Sequence, residues 1–343
     1  MKIVFDPSIG TTNNYVNILV VGFKERGYTV FSLKEVFKNY NDFISVKIVH
    51  LNWFENVNSL YEFLNKIAKI SLLFLFRKKI VWTLHNKRPH VKNFHLLQEI
   101  LFKLLIRSAD KIVIHSRESR NLLLEINEKV EHKIVHIPHP NYIDSYGVRK
   151  HSSLKQSHFL NLLFVGAIKE YKNIELLIEV VNSFNSNDLK LTVAGFCPDQ
   201  SYAEDIQKLG RNGNVKLDMQ YVDDEQLLYY FSKNDLLVLP YDINSSLNSG
   251  SAMLAFSYGI SVICPEIGTI NDIENDNCLF KYNYSSEKEH KDNLKAQIEK
   301  AINLKRENSL ILKEWGNTLR EEVKVKNNQE KIVSSFISLY KSI

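Results

Sequence analysis

The chain lacks several features that would assign it to a class at once. No run of about 18 uncharged apolar residues occurs in its 343 residues, so we expect no membrane-spanning helix. The three cysteines, Cys197, Cys264 and Cys278, have no metal-ligand spacing, and we interpret them as reduced thiols of a cytosolic protein. No dinucleotide fingerprint of spaced glycines follows the first predicted strand, which argues against an oxidoreductase. The opening "MKIVFDPSIG" has no signal-peptide apolar region and predicts a strand.

Positive charge is concentrated in the first half. Residues 1–155 hold 24 Lys and Arg against 13 Asp and Glu, a net of +11, whereas the remainder holds 20 against 26, a net of −6. This asymmetry suggests two domains with different partners. The basic half could face nucleic acid, an anionic lipid surface or a phosphorylated substrate, or it could be a solvated surface without a partner.

Strand-like and helix-like segments alternate along the chain in two series. In the first half, β-branched segments such as "KIVF", "VKIVHLNW" and "DKIVIHS" are separated by helical runs. The pattern restarts at "LNLLFVGA" and continues through "LKLTVAGF" and "DLLVLPY". Buried strands alternating with helices predict parallel sheets covered by helices on both faces. We therefore predict an α/β protein of two doubly wound, Rossmann-like domains, 1–155 and 156–320, joined by a linker within 147–158. A C-terminal helix, 321–343, could pack back on the first domain.

Ligands of open α/β sheets bind beyond the carboxyl ends of the strands, so the loops there hold the candidate site residues. In the second half these loops carry two glycines, an aromatic residue and a carboxylate: Gly166, Gly195, Tyr241 and Glu266. Lys169 and Lys172 follow the first glycine at a predicted helix start, where two point charges could hold phosphate. A plain turn with exposed lysines is the alternative.

The segment "NSSLNSGSAMLAFSYG", 244–259, places small polar residues at the mouth of a predicted helix. Free amides and the positive end of the helix favour an anion at such a position. We expect Asn248, Ser249 and Gly250 to contact that anion. A Ser-Gly cap on a buried packing helix is the alternative.

Several segments, in their order and spacing, resemble the GT-B glycosyltransferases, particularly the family-4-like bacterial sugar transferases that build surface polysaccharides. They include "VVGFKERGYTV", "VHLNWFE", "VWTLHN", "ADKIVIHS", "HIPHPNY", "LLFVGAIKEYKNIELLI" and "NSGSAMLAFSYGISVICPEIG", and they cover nearly the whole chain. The resemblance implies a GT-B fold whose two domains face a cleft. The first domain would hold the acceptor, and the second would hold a nucleoside-diphosphate sugar without a bound divalent metal.

The resemblance also gives the second-half loops a role in binding the donor. The residues concerned are Gly166, Lys169, Lys172, Gly195, Tyr241, Asn248, Ser249, Gly250 and Glu266. Fixed amides and lysines would stabilise the diphosphate leaving group. One departure stands out, because the glutamate pair usual in family-4-type enzymes falls on Ser246 and Leu254. The roles of that pair towards the donor sugar and the ribose are unfilled or moved, and neither retention nor inversion is predicted.

Sugar transfer to a hydroxyl benefits from a base, which the first half must supply. His85 follows a predicted strand in "LHNKRPH" and is the candidate base, with Glu55 as its competitor. His115 and His136 are interpreted as structural. The candidate acceptor-binding residues lie in loops after the predicted strands: Asn14, Tyr15, Trp53, His90 and His139.

The sequence thus predicts a metal-independent hexosyltransferase that needs no cofactor beyond its UDP- or GDP-type nucleotide-sugar substrate. The acceptor would be a hydroxyl of a lipid-linked glycan or polysaccharide. A non-catalytic homologue that binds sugar or nucleotide is the alternative. The run "NKIAKISLLFLFRKK", 65–79, has an apolar centre and basic ends, as interfacial helices do, although a core helix with basic ends fits too. Together with the net charge of +11, it predicts a cytoplasmic protein with peripheral contact to an anionic inner membrane face and no nucleic-acid partner.

Overall fold

The computed structural model describes residues 1–8, 13–87, 94–148, 159–211 and 213–343. Its contacts divide the chain into two compact units. Unit 1 comprises Met1–Pro140 and Asn327–Ile343, and unit 2 comprises Asn141–Lys326.

The unit boundaries differ from the predicted bounds at 155 and 320. Residues after Pro140 already bond within unit 2, because the Tyr142 amide donates to Ser257 Oγ at 2.8 Å and the Tyr146 amide donates to the Tyr258 hydroxyl at 2.9 Å. Most of the predicted linker, 149–158, lies outside the described residues.

Unit 1 contains a parallel sheet of six strands in the order β2-β1-β3-β4-β5-β6. The strands are β1 Lys2–Asp6, β2 Thr29–Phe31, β3 Ile48–Asn52, β4 Lys79–Leu84, β5 Lys111–Ile114 and β6 Ile134–His136. The helices between them are α1 Asn14–Glu25, α2 Leu33–Val36, α3 Tyr40–Ser45, α4 Leu60–Leu75, α5 His95–Ser108 and α6 Arg117–Ile126, followed by a 3₁₀ helix, Glu128–Lys133. The short helices α2 and α3 were not predicted. The central strand β3, IVHLN, is buried throughout, and its two polar side chains, His50 and Asn52, have hydrogen-bond partners.

Unit 2 contains a second parallel sheet of six strands in the order β12-β11-β10-β7-β8-β9. The strands are β7 Leu160–Val165, β8 Leu189–Ala194, β9 Val215–Asp218, β10 Leu236–Val238, β11 Ser261–Pro265 and β12 Phe280–Tyr282. The helices are α7 Ile174–Asn182, α8 Gln200–Leu209, α9 Asp224–Lys233, α10 Gly250–Ser257, α11 Gly268–Asn271, α12 Glu287–Glu307 and α13 Ile311–Lys326, with 3₁₀ turns at Glu170–Lys172 and Asp276–Cys278.

The last helix, α14 Gln329–Lys341, belongs to unit 1 and packs on α1. Gly22 of α1 permits this approach, since a Cβ added there would lie 2.6 Å from Val333 Cγ2. The Tyr340 hydroxyl lies 2.6 Å from His50 Nδ1 on strand β3. The C-terminal segment therefore completes unit 1.

The predicted α/β class with two doubly wound domains is confirmed by the two parallel sheets and their alternating helices. The strand segments predicted in the two series each correspond to an observed strand. Among the described residues, no helix is both long and apolar enough to cross a bilayer.

Candidate active site

Aromatic and histidine side chains from several loops of unit 1 meet at the carboxyl edge of its sheet. Tyr15, in the first turn of α1, lies at their centre and is fully buried. Its ring centroid is 5.2 Å from that of His85 after β4, 5.4 Å from that of His115 after β5, and 5.0 Å from that of His139 after β6. The structure therefore brings together three residues predicted for this site, and it adds His115, which was interpreted as structural.

Trp53 stacks on the candidate base. Its ring lies 4.0 Å from the His85 ring at an interplanar angle of 15°. Trp53 follows β3 in a left-handed conformation, with φ of 50°. An aromatic residue rarely adopts this conformation, and such backbone strain is concentrated at functional sites. The strained turn directs the indole onto His85.

Asn52 fixes the tautomer of His85. The Asn52 side-chain amide donates to the main-chain carbonyl of Asp6 at 3.3 Å, which places its Oδ1 3.0 Å from His85 Nε2. An amide oxygen only accepts, so Nε2 carries the proton. In the neutral ring, Nδ1 therefore carries the lone pair. This is the nitrogen that could accept a proton from a substrate.

Burial keeps the histidines of this cluster neutral. Desolvation lowers the pKa of His115 to about 3 and that of His139 to about 4, and it holds the pKa of His85 well below 6.5, with nearby His115 adding to the effect on His85. His50 below them, bonded to Thr83 Oγ1 at 2.6 Å, has a pKa lowered to about 3 for the same reason. A base in this cluster is therefore available at neutral pH, but it is weaker than a free imidazole.

The remaining first-half candidates lie in different surroundings. Glu55 is buried and accepts from the Trp82 indole at 3.2 Å, and desolvation raises its pKa, so this contact favours a structural carboxyl group. Asn14 begins α1, where its Oδ1 accepts from Asn17 Nδ2 at 3.2 Å. His90 lies outside the described residues.

In unit 2, two glycines shape the carboxyl edge of the sheet. Gly166 after β7 and Gly195 after β8 have backbone φ angles of 130° and 147°, which residues with a side chain rarely adopt. A Cβ on Gly195 would lie 2.0 Å from the Gly166 carbonyl oxygen. The two loops are thus packed backbone against backbone, at a distance that a side chain on Gly195 would prevent.

Lys172 is a buried cation beside these glycines. It is 8% exposed, and its Nζ lies 5.5 Å from the Phe164 ring centroid and 5.9 Å from the Tyr171 centroid. Within the described ranges, its ammonium has no hydrogen-bond or ion-pair partner. Desolvation, with a smaller effect of exposed Lys169, lowers its pKa to about 8. A buried charge without a partner is costly, and this marks Lys172 as a functional candidate.

The loop after β10 is tied to the loop that carries Lys172. Asn173 Nδ2 donates to the Pro240 carbonyl at 2.9 Å, and the Asp242 amide reaches the Tyr171 carbonyl at 3.3 Å. Tyr241, next in the chain, is buried and its pKa is raised by desolvation. The structure therefore assembles the predicted β7 and β10 loops into one surface.

The start of α10 is only partly available to an anion. The amide of Ser249 donates to Thr269 Oγ1 at 2.8 Å, and its hydroxyl caps the helix by accepting from the Ala252 amide at 3.0 Å. The Ser249 amide and hydroxyl therefore both have partners within unit 2, and a contact of Ser249 with the donor stays a prediction. Gly250 is the first residue of α10, and Asn248 immediately precedes that cap. Glu266 follows β11 and is half-buried.

Sequence reasoning missed Asn52 and His115. One signal was present, because a histidine lies within three residues of the end of each strand from β3 to β6. Parallel strands bring such positions to one edge.

Among the described residues, no group of three or more His, Cys, Asp or Glu side chains is arranged to hold a metal ion.

Comparison with known proteins identifies the family resemblance. Residues 149–316 match the family model "Glycosyl transferases group 1". A GDP-mannose:glycolipid 4-beta-D-mannosyltransferase of Xanthomonas campestris pv. campestris is 24% identical over 244 residues, which are 68% of this chain. The matched region spans 64% of the length of that relative.

Solved structures share the fold across the whole chain. HepE of Anabaena, in complex with UDP and glucose, has a TM-score of 0.73 at 14% identity, with 100% of both chains covered. Sucrose-phosphate synthase of Thermosynechococcus elongatus has a TM-score of 0.75 at 15% identity, covering 99% of this chain and 98% of that one. The GT-B fold predicted from the sequence is confirmed, as is the resemblance to family-4-like enzymes.

Proposed function

We propose that this chain, whose residues 149–316 match the group 1 glycosyl transferase model, is a family-4-like GT-B glycosyltransferase. It would transfer a hexose from a nucleoside-diphosphate sugar to a hydroxyl of a lipid-linked or polysaccharide acceptor. The observation that carries the proposal is Lys172, a buried ammonium without a partner among the described residues at the carboxyl edge of the unit 2 sheet. A diphosphate is the ligand that would complete it.

The proposed donor is of the UDP or GDP type. The curated relative is named for GDP-mannose, and the Anabaena structure holds UDP. We assign the donor to the loops that carry Gly166, Gly195, Tyr241 and Gly250, with Lys172 on the diphosphate. Asn248, Ser249 and Glu266 remain candidate contacts for the sugar or the ribose, and exposed Lys169 is a second phosphate candidate.

The proposed reaction forms a bond between the acceptor oxygen and the anomeric carbon and breaks the bond from that carbon to the diphosphate. The acceptor proton goes to Nδ1 of His85. Asn52 and Trp53 hold the ring in place for this transfer. Tyr15 and His139 line the same edge, where we place the acceptor.

The electrons of the broken bond remain on the diphosphate. A fixed ammonium in a site of low polarity stabilises that charge more than it would in water. We propose that Lys172, with the Gly250 amide and the positive end of α10, performs this role and that no divalent metal is needed. Because the pKa of Lys172 is about 8, the side chain loses its charge above that pH, and donor binding should depend on pH.

The proposed setting is the cytoplasmic side of an inner membrane, with the protein bound peripherally. The three cysteines are free, as expected in a reducing compartment. The excess of basic residues before residue 156 would favour an anionic leaflet.

The proposal is tested by supplying radiolabelled UDP-glucose and GDP-mannose together with a polar lipid extract from the producing cells. We expect label from one donor to enter the organic phase, and His85→Ala should abolish most of this incorporation. Calorimetric binding of a donor without any incorporation or hydrolysis would instead favour the non-catalytic homologue.

A further inference from the structure

Helix α4 of unit 1 is apolar, yet little of it is buried. Only Ile70 and Leu73 of its sixteen residues are buried. Ten of the 21 exposed large hydrophobic residues in the described ranges lie within 60–76 and 94–100, the segments of α4 and the start of α5. Scattered exposed apolar residues are ordinary, but this concentration on two adjacent helices is typical of an interaction surface.

A groove opens between the C-terminal halves of these helices. It has a volume of 1170 Å³ and closes on the start of β4. Its lining combines apolar and cationic side chains, among them Ile67, Ile70, Phe74, Leu104, Arg77 and Arg107. Phe74 and Leu75 at its rim are 75% and 71% exposed. We call the exposed side of α4 and α5, with this groove, the α4–α5 face.

Some basic side chains of this face have hydrogen-bond or ion-pair partners among the described residues, and others do not. Lys78 donates to three carbonyl oxygens at the C-terminal end of α3, at 2.6 to 3.1 Å, and Lys79 pairs with Asp110 at 2.9 Å. Among the described residues, Arg77 and Arg107 have no such partner for their side chains. The basic cluster of 77–79 therefore leaves only Arg77 available, and Arg107 joins it across the groove.

We propose that the α4–α5 face docks on an anionic bilayer, with Phe74 and Leu75 inserted below the headgroups and Arg77 and Arg107 on lipid phosphates. Apolar area combined with cations at its rim fits that partner. The proposal deepens the proposed function and rests on its membrane-borne acceptor. Helix α4 spans about 24 Å at 1.5 Å per residue. It begins after β3, near the carboxyl edge of the sheet, and His85 lies at the same edge. An acceptor anchored in the same bilayer would reach that edge along the face.

The test is vesicle flotation of the full chain at low and high salt. The vesicles contain phosphatidylcholine alone or phosphatidylcholine with phosphatidylglycerol. Arg77→Ser with Arg107→Ser should weaken binding to the anionic vesicles about fivefold each, or roughly twenty-five-fold together. Phe74→Ser with Leu75→Ser should weaken it by at least tenfold at any salt concentration, because inserted apolar area is lost.

Matched controls change equivalent residues of unit 2. Arg211→Ser with Lys216→Ser removes two exposed cations, and Tyr229→Ser with Val325→Ser removes side chains from residues that are 55% and 62% exposed. Both controls should float like the parent. Donor affinity, measured by calorimetry, should be unchanged in all four variants, so that loss of docking is separated from loss of the proposed activity.

Flotation of both α4–α5 variants at the parental level would overturn the proposal. Failure of the parent to bind anionic vesicles would also overturn it. A parent that is a dimer in sedimentation, and that becomes monomeric on Phe74→Ser with Leu75→Ser, would assign the face to a second copy of the chain instead.

Discussion

Replacing Lys172 by methionine should weaken donor binding and stabilise the free protein at the same time. Methionine retains most of the packing against Phe164 and Tyr171 but removes the charge. A charge-assisted contact contributes about 1.5–3 kcal/mol, so the dissociation constant for the correct donor should rise about ten- to a hundredfold. Calorimetry with UDP and GDP measures this directly.

The stability change follows from the pKa of Lys172, which is lowered from 10.5 to about 8. Below pH 8 the folded protein carries the full cost of burying the ammonium, about 3 kcal/mol from a shift of this size. Between pH 8 and 10.5 the unfolded chain binds more protons, so stability rises with pH in this window. Lys172→Met should remove the cost and raise the free energy of unfolding in urea at pH 7 by up to about 3 kcal/mol.

The same pKa predicts how donor affinity depends on pH. If only the protonated lysine holds the diphosphate, affinity should fall about tenfold between pH 7 and 9, and this fall should vanish in Lys172→Met. Lys169→Met should move the fall to higher pH, because Lys169 contributes to the lowered pKa of Lys172.

Lys305, the other lysine that is buried among the described residues, provides the control for Lys172. It is 4% exposed and forms an ion pair with Asp235. Lys305→Met should destabilise unit 2, because it leaves the Asp235 carboxylate with hydrogen bonds from Asn161 but without its positively charged partner, and it should leave donor affinity unchanged. If Lys172→Met is destabilised and binds donor like the parent, Lys172 is a structural residue and the reasoning fails.

Three further predictions concern unit 1. His85→Ala should slow transfer to acceptor about a hundredfold or more while donor affinity hardly changes, and the acid limb of the parental rate profile should lie below pH 6.5, since burial lowers the His85 pKa. Asn52→Leu should slow transfer and mix the two His85 tautomers in ¹⁵N spectra of histidine-labelled protein, whereas Gln98→Leu, which removes another buried amide bonded to a main-chain carbonyl, should affect stability alone. In unit 1, His50, His115 and His139 have pKa values of about 3 to 4 and bind protons mainly when unfolded, so stability should fall below pH 6.5, by about 1.4 kcal/mol per histidine at pH 5.5. A urea midpoint that stays constant from pH 7.5 to 5.5 would contradict this last prediction.

The sequence predicted the fold well because the signals for it are local. Short β-branched runs alternating with helical ones leave few architectures, and all twelve strands followed from them. The short helices α2 and α3 escaped detection because their stabilising contacts are caps. Ser32 and Glu35 form a capping box at α2, and Asn39 caps α3.

The candidate site was predictable in position but not in detail. The carboxyl-end rule located His85, His139 and Lys172, because parallel strands bring their ends to one edge. Sequence alone could not show that the Ser249 amide is bonded to Thr269, twenty residues away. The burial that lowers the pKa of the histidines likewise depends on residues distant in the chain.

The measurement that most directly tests the central claim is release of nucleoside diphosphate from a panel of UDP-, GDP- and TDP-sugars without acceptor, followed by ³¹P NMR. The account predicts slow hydrolysis of one donor by the parent, strongly reduced in Lys172→Met and less reduced in His85→Ala. If no sugar nucleotide of the panel is consumed or bound, or if Lys172→Met hydrolyses the donor as fast as the parent, the assignment of this chain as a glycosyltransferase acting through Lys172 is wrong.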